Sequence, residues 1–359
     1  MDKKEIDYLI VGQGIAGTIL AHFLLKAHQN IHIIDDAASN SSTAVAAGLI
    51  NPITGRRFVK SWRLEEFLPL AKATYQELET KFDCDFYHPY NVVRAIFNAG
   101  EENDWMVKSG ASDYAPFVVE DADVSSLQGK ITPAFSFVEV AQSAQVEVGK
   151  LMLMYRDFFK KEEIYTQENF DFEKLKIKEN SIDYKGIHAK KIIFCEGAKV
   201  KTNPYFNYLP FLVTKGEVLI VRIPNANFEK IIKHKLYLIP LPEKDTFWVG
   251  ATLLREYENE LPSKEAKKQL LDKLKKILQI PFEVIDHKAA IRPTVRDRRP
   301  FIGQHPTLKP LYLFNGMGTK GTSLVPFWAT HVVQHLLGNE VLDKEVDIKK
   351  YERYFSTKK

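Results

Sequence analysis

Three features of the sequence predict an α/β chain in two parts. The apolar run Asp7–Val11 ends directly on Gly12-Gln13-Gly14-Ile15-Ala16-Gly17, a second apolar run ends on the acid Asp35, and a later stretch is rich in β-branched and aromatic residues broken by turn signals. The first two make the opening β-α-β unit of a Rossmann-like domain; the third predicts a second, α+β domain built on an antiparallel-rich sheet. Because nucleotide-type strands return twice later in the chain, the first domain is expected to be discontinuous. It is placed at 1–55, 140–205 and 290–359, with the second domain at 56–139 and 206–289.

Each part of the opening unit has a physical role. Gly12 allows the tight turn, Gly14 lets a pyrophosphate approach the backbone, and Gly17 lets helix and strand pack closely. The helix over Ala16–Lys26 starts with free N–H groups at Ile15 and Ala16, which suit phosphate oxygens. Asp35, followed by Asp36, is placed to accept hydrogen bonds from an adenosine ribose. These residues together predict a dinucleotide site.

The remaining elements follow from pattern. Ser39–Pro52 is a small-residue loop with a short helix, the composition expected where backbone lies against a flat cofactor. Trp62–Phe82 is an amphipathic helix, Asn91–Ala99 a strand, and Gly100–Asp123 polar and loop-rich. Strand character returns at Phe135–Val148, before a helix over Gly149–Lys160. Phe170–Lys178, Ser181–Tyr184 and His188–Glu196 read as a small meander. Phe211–Val221, Lys235–Leu241 and Thr246–Thr252 read as antiparallel strands. Ala289–Arg292 and Leu311–Phe314 are strands, the latter running into Asn315–Gly321 and a helix over Ser323–Leu337.

Length and composition fit this plan. With 359 residues, 45 % hydrophobic and 27 % charged, the chain has material for two domains of an ordinary globular protein. No apolar run spans a membrane and no signal peptide is visible, so a cytoplasmic location is expected. Cys84 and Cys195 have no metal-type spacing, and no metal site is expected. The net charge of +4 is spread widely. Lys264–Lys276 reads as a surface helix with a solvated basic face rather than a nucleic-acid patch.

Several motifs together resemble the FAD enzymes of the D-amino-acid oxidase and glycine oxidase superfamily. They are the Gly12–Gly17 turn with Asp35, Ala46-Ala47-Gly48-Leu49, and Phe194-Cys195-Glu196-Gly197-Ala198. Further along come Tyr237–Pro240 with Trp248–Thr252, Ile291–Thr294 through Pro300–Gly303, and Asn315–Gly318. The resemblance covers nearly the whole chain. It implies FAD as the cofactor, with a second glycine turn at Gly316, Gly318, Thr319, Lys320 and Gly321 aiming a helix N-terminus at the flavin. Ala47, Gly48, Leu49, Glu196 and Gly197 are implied to line the same cofactor. It also implies a second domain that takes substrate.

The implied activity is FAD-dependent oxidation of the C–N bond of an amino acid or secondary amine, with O2 or another acceptor reoxidising the flavin. Such a reaction relies chiefly on positioning. Arg292 falls at the family's carboxylate-binding position, where its planar fork would hold a substrate carboxylate; a structural ion pair is the alternative. Tyr237 resembles an active-site tyrosine, with a core role as the alternative. Where glycine oxidases carry a further arginine, this chain has Thr319 and Lys320; Lys320 either replaces it or points to solvent. No cysteine lies near the Gly316 turn, so the flavin is expected to be held non-covalently.

Two basic clusters, Arg56-Arg57 and Arg296–Arg299, either face the active-site mouth or form ion pairs at the domain interface. The Arg292–Asp297 string also resembles the FAD domain of a bifunctional enzyme that modifies a wobble uridine of tRNA. An FAD-dependent tRNA-modifying oxidoreductase is therefore one alternative function, and a flavoprotein without turnover is another.

Overall fold

The opening apolar run forms the strand Lys4–Val11 at the middle of a sheet in the computed structural model, which describes residues 4–356. Its parallel neighbours are Ile31–Asp35, itself beside Tyr165–Gln167, and Ile187–Phe194. The Ile187–Phe194 strand pairs twice on its other edge. Its first half runs antiparallel to Ile182–Tyr184, and its second half parallel to Leu311–Asn315, which pairs in turn with Phe301–Gln304. Tyr8 to Val11, Ile31 to Ile34 and Ile192 to Phe194 are all buried, the continuous apolar pattern of a parallel sheet covered on both faces. The helix Ile15–Lys26 packs against Gly321–Leu336 and Val148–Lys161. The last of these buries one stripe, Val148, Leu151, Met152, Tyr155 and Phe159.

A separate eight-stranded sheet runs in the order Glu283–Arg292, Thr214–Arg222, Thr246–Gly250, Tyr237–Pro240, Ile231–Lys233, Val92–Ile96, Ser136–Val140 and Val118–Val119. Its strands alternate. Val93, Leu219, Ile232, Leu238 and Val249 point to one face, where Leu270 and Leu274 of the helix Lys264–Lys275 join them in a single core. The basic helix is therefore held by its apolar side, as its spacing predicts. The opposite face carries Val218, Trp248 and Ala290.

The chain forms two compact units. One contains the residues up to Ala44, Val148–Thr214 and those from Ile291 on; the other contains Val45–Glu147 and Lys215–Ala290. Residues 45–55 and 140–147, placed by sequence in the first part, group with the second unit, and 206–214 with the first. The reason is the strand Ala144–Val146, which pairs with Tyr87–Pro89 of the second unit on one edge and with Leu49–Ile50 on the other. At Gly48 φ is +69°, and a Cβ would come within 1.7 Å of the Val146 carbonyl oxygen. Val146 N–H donates to the Gly48 carbonyl at 2.9 Å, and Leu49 pairs with Gln145. Residues 48–50 are thus tied to the strand Ala144–Val146.

Other departures are local. The segment read as loop from Gly100 contains the helix Ala99–Ser109, capped by the Asn98 side chain, which accepts from Glu101 N–H at 2.9 Å. Only Trp105 of that helix is buried, so it presents no apolar stripe to recognise. Of the strand expected over Phe170–Lys178 only Leu175–Ile177 forms. Asp171 instead accepts from Glu173 N–H and starts a short 3-10 turn, while Phe170 stacks on Tyr184 at 4.5 Å.

Candidate active site

Strand register brings the cofactor candidates of the first unit together. Val11 is paired with Ile34 on one side and Phe194 on the other, and Phe194 with Leu313, so four parallel strands end in one row. Just past that row stand Gly12, Asp35, Cys195-Glu196-Gly197 and Asn315-Gly316. This carboxyl edge is where open α/β sheets take their ligands. At Gly17 a Cβ would lie 1.9 Å from the Gly12 carbonyl oxygen, an approach that only glycine permits.

The edge has what a dinucleotide needs. A Cβ at Gly14 would meet only Thr43 Oγ1, at 3.2 Å, so the turn is an open cradle lined by backbone. The Ile15–Lys26 helix has no side-chain cap and no acid in its first turn, although Ile15 N–H donates to Thr43 Oγ1 at 2.9 Å. The Gly321–Leu336 helix likewise starts without a side-chain cap or an acid. The two starts touch: a Cβ at Gly321 would sit 3.3 Å from Ile15 Cγ2. Two helix N-termini side by side concentrate partial positive charge where an anionic group can lie.

Acidic residues frame this edge. Asp35 accepts the N–H groups of Gln13 and Ala37, each at 2.8 Å, with Arg156 at 3.4 Å and the Tyr165 hydroxyl at 3.3 Å. Gln13, fully buried, is fixed by Arg156 Nε at 2.8 Å and by donating to the Met152 carbonyl at 2.8 Å. Asp36 is ion-paired with Lys199. Burial pushes the Glu196 carboxyl up to about 7, against the Asn203 amide that donates to it at 2.6 Å. Asn315 donates to the Gly197 carbonyl at 2.9 Å and accepts from Gly316 N–H at 2.8 Å, binding the two glycine turns together.

Arg292 and Lys320 belong to this first unit. Arg292 closes the strand Glu283–Arg292, and two residues on Thr294 packs against the C-terminal turn, 3.6 Å from where a Gly318 Cβ would stand. Both cations are half-buried. Burial pulls the Arg292 pKa down; it does the same to Lys320, helped by the charges of Arg298 and Arg299. Within the basic cluster, Arg299 lies 3.4 Å from Glu345 and Asp297 pairs with Lys350 at 3.0 Å, so part of it is ion-paired inside its own unit. Thr319 and Arg56-Arg57 are exposed.

Tyr237 belongs to the second unit, with Ala47, Gly48 and Leu49. Its hydroxyl accepts from Asn51 Nδ2 at 3.3 Å, and burial raises its pKa. Two basic side chains that sequence reading passed over stand beside it. Register pairs Lys233 with both Arg94 and Tyr237, so the three share one sheet face. Lys233 lies in a three-residue strand that reads as part of a turn region, and Arg94 is a single cation within an apolar run. Their juxtaposition is purely long-range.

The chain matches the family described as FAD dependent oxidoreductase (DAO) over residues 7–335 and belongs to it. It is 23 % identical to a glycine oxidase of Bacillus licheniformis, over 98 % of each chain. Among solved structures, glycine oxidase from Geobacillus kaustophilus superposes with a TM-score of 0.79 at 18 % identity, covering 97 % of this chain and 98 % of that one. Iminodiacetate oxidase from Chelativorans sp. BNC1 gives 0.76 at 19 %, covering 96 % and 98 %. The chain is thus an FAD-dependent oxidoreductase, and the Gly12–Gly17 and Gly316–Gly321 turns with Asp35 are the candidates to hold its FAD.

Flavin is expected to be held without a covalent bond. Cys195 is buried, and burial together with the Glu196 charge raises its thiol pKa well above the ordinary range, which suppresses the thiolate. Cys84 follows the helix Leu64–Phe82 in the second unit. Acid precipitation of the yellow protein should therefore leave FAD in the supernatant. Flavin retained in the pellet would show a covalent link.

Proposed function

We propose that this enzyme oxidises the C–N bond of an amino acid or secondary amine, with Arg292 binding the substrate carboxylate. The observation that carries this reading is the placement of Arg292 in a segment that packs against the Gly318 turn, at the same sheet edge as the cofactor residues. Bound FAD supplies the two-electron acceptor for the hydride that leaves carbon. The chain's own part is to orient. A guanidinium binds a carboxylate through two parallel N–H donors and so fixes which C–H is presented. Lys320 adds a second half-buried cation on the Gly316–Gly321 turn. Loss of hydride from carbon and a proton from nitrogen leaves an imine. Water adds to it and releases a carbonyl compound and an amine or ammonia. The names of the similar proteins, glycine oxidase and iminodiacetate oxidase, support a small carboxylate-bearing amine.

Anaerobic mixing with a panel of glycine, sarcosine, iminodiacetate and racemic amino acids tests this. Flavin absorbance should bleach with at least one of them. A flavin that stays oxidised with every carboxylate-bearing amine overturns the reading.

A further inference from the structure

The sheet of the second unit carries an unusual row on the face opposite its apolar core. Register pairs Lys233 with Arg94 on one neighbouring strand and with Tyr237 on the other. Val218, Trp248 and Ala290 make the rest of that face apolar or aromatic. Paired strands lie about 4.8 Å apart, so the two cations stem from adjacent positions. Both are half-buried, which removes part of the water that would screen one charge from the other.

No carboxylate offsets the two charges. Among the described residues, no acid lies within ion-pair distance of Arg94 or Lys233; Glu101 acts on Arg94 only through space. Arg94 is nevertheless fixed, lying 4.0 Å above the Phe58 ring and donating from Nη1 to the Gly55 carbonyl at 2.7 Å. Lys233 Nζ instead faces a ring, 4.3 Å from the centroid of Tyr237, with no acid to retain its proton. Burial first, and then the charges of Arg94 and of Lys273 on the helix Lys264–Lys275, bring its pKa down to about 8. A lysine desolvated beside a second cation is the setting that makes an amine nucleophilic. Arg94 stays charged and keeps the planar fork that binds a carboxylate.

We propose that Lys233 is a covalent modification site of the second unit, condensing reversibly with a small oxo acid whose carboxylate docks on Arg94. The lone pair of the neutral Nζ attacks the carbonyl carbon and forms a C–N bond. The carbonyl oxygen then leaves as water with the two amine hydrogens, and an imine remains that hydrolysis reverses. No electrons are gained or lost, and no further reactant is needed. An oxo acid carries the electrophile for Lys233 and the anion for Arg94 on neighbouring carbons. The adduct removes one of the two adjacent charges and balances the other, relieving the repulsion within the row. Every group involved belongs to the second unit, and the condensation needs no flavin turnover.

The test traps the adduct in the holoenzyme with glyoxylate and sodium cyanoborohydride at pH 7, which reduces the imine to a stable secondary amine, and locates it by peptide mass mapping. At a pKa of about 8, about 9 % of Lys233 is neutral at pH 7, against about 0.04 % of an ordinary lysine. Lys233 should therefore be labelled at least about tenfold faster than Lys244 and Lys268, two exposed lysines of the same unit that serve as internal controls. Glyoxylate should also outpace acetaldehyde at Lys233 by about 10- to 100-fold more than it does at those two lysines, as for a hydrogen bond to a charged group. In Arg94→Gln, which keeps a donor for the Gly55 carbonyl, that extra preference should vanish. The pH midpoint for labelling by acetaldehyde should rise in the same variant, because a neighbouring positive charge is gone. Lys233→Arg, which keeps the charge, should lose the one fast site while its melting temperature stays near wild type. Labelling of Lys233 no faster than of Lys244 and Lys268 overturns the proposal. Fast labelling whose preference for glyoxylate survives in Arg94→Gln overturns the oxo-acid assignment. Neither result touches C–N oxidation, which is read from the bleaching of the flavin.

Discussion

Arg292→Ala is expected to lower kcat/KM for carboxylate-bearing amines by roughly 30- to 5,000-fold, which corresponds to about 2–5 kcal/mol for truncating one partner of a hydrogen-bonded charge pair. The size follows from the setting. Arg292 is half-buried, and burial already lowers its pKa, so a carboxylate bound there is partly shielded from water and its partner cannot be replaced by solvent at little cost. Arg292→Lys should recover only part of the loss, because an ammonium lacks the planar fork. FAD content and melting temperature should stay near wild type. The backbone that locates this residue is secured independently: Thr294 N–H donates to the Arg292 carbonyl, and Leu212 N–H to the Thr294 carbonyl, each at 2.8 Å. Loss of FAD or of the fold in Arg292→Ala, with normal turnover by the surviving molecules, would assign the guanidinium to a structural ion pair. Equal loss with an amine that carries no carboxylate would do the same.

The candidate cofactor edge was legible in sequence because its pattern is local. Gly12, Gly14 and Gly17 lie within one turn, Asp35 closes the next strand, and Gly316 to Gly321 form a single strand-to-helix junction. Each signal sits inside a window short enough for steric rules to act on it. What escaped was set at long range or by few residues. Arg94 and Lys233 become neighbours only because Ile231–Lys233 pairs in parallel with Val92–Ile96, a register that no local pattern encodes. The grouping of residues 45–55 and 140–147 with the second unit depends on the pairing of Ala144–Val146 with Tyr87–Pro89. The strand Glu283–Arg292 begins earlier than its apolar end at Ala289 because its first half is largely exposed and polar. A buried ion pair in the second unit, Lys215 with Glu217, lies two residues apart on the single strand Thr214–Arg222.

Glu217→Gln should be the most destabilising single change of similar shape in that unit. Glu217 and Lys215 have side chains 0 % and 4 % exposed, with Lys215 Nζ 3.0 Å from Glu217 Oε1. Glu217 also accepts from Ser263 N–H at 2.8 Å and Ser263 Oγ at 2.9 Å, and lies 2.9 Å from His287 Nε2. Since Ser263 caps the helix Lys264–Lys275, the carboxylate ties sheet to helix. Breaking a buried pair by removing one partner costs about 3–5 kcal/mol, so the melting temperature should fall by roughly 5–15 °C at pH 7. Removing both charges, as in Lys215→Met with Glu217→Leu, should recover most of that loss, because no buried charge is left alone. The pH dependence has a definite sign. Burial alone would raise the Glu217 pKa, but the Ser263 and Lys215 hydrogen bonds outweigh it and hold the carboxyl below its ordinary value of 4.5. Its contribution is therefore complete above about pH 4.5 and is lost as pH falls through the lower folded value. The gap in melting temperature between wild type and Glu217→Gln should accordingly narrow on acidification, since a protonated glutamate resembles glutamine. Burial lowers the His287 pKa against the raising effect of Glu217, so without Glu217 it should drop further. A gap that stays constant from pH 7 to below pH 4 would show that the ionised pair is not what Glu217 contributes.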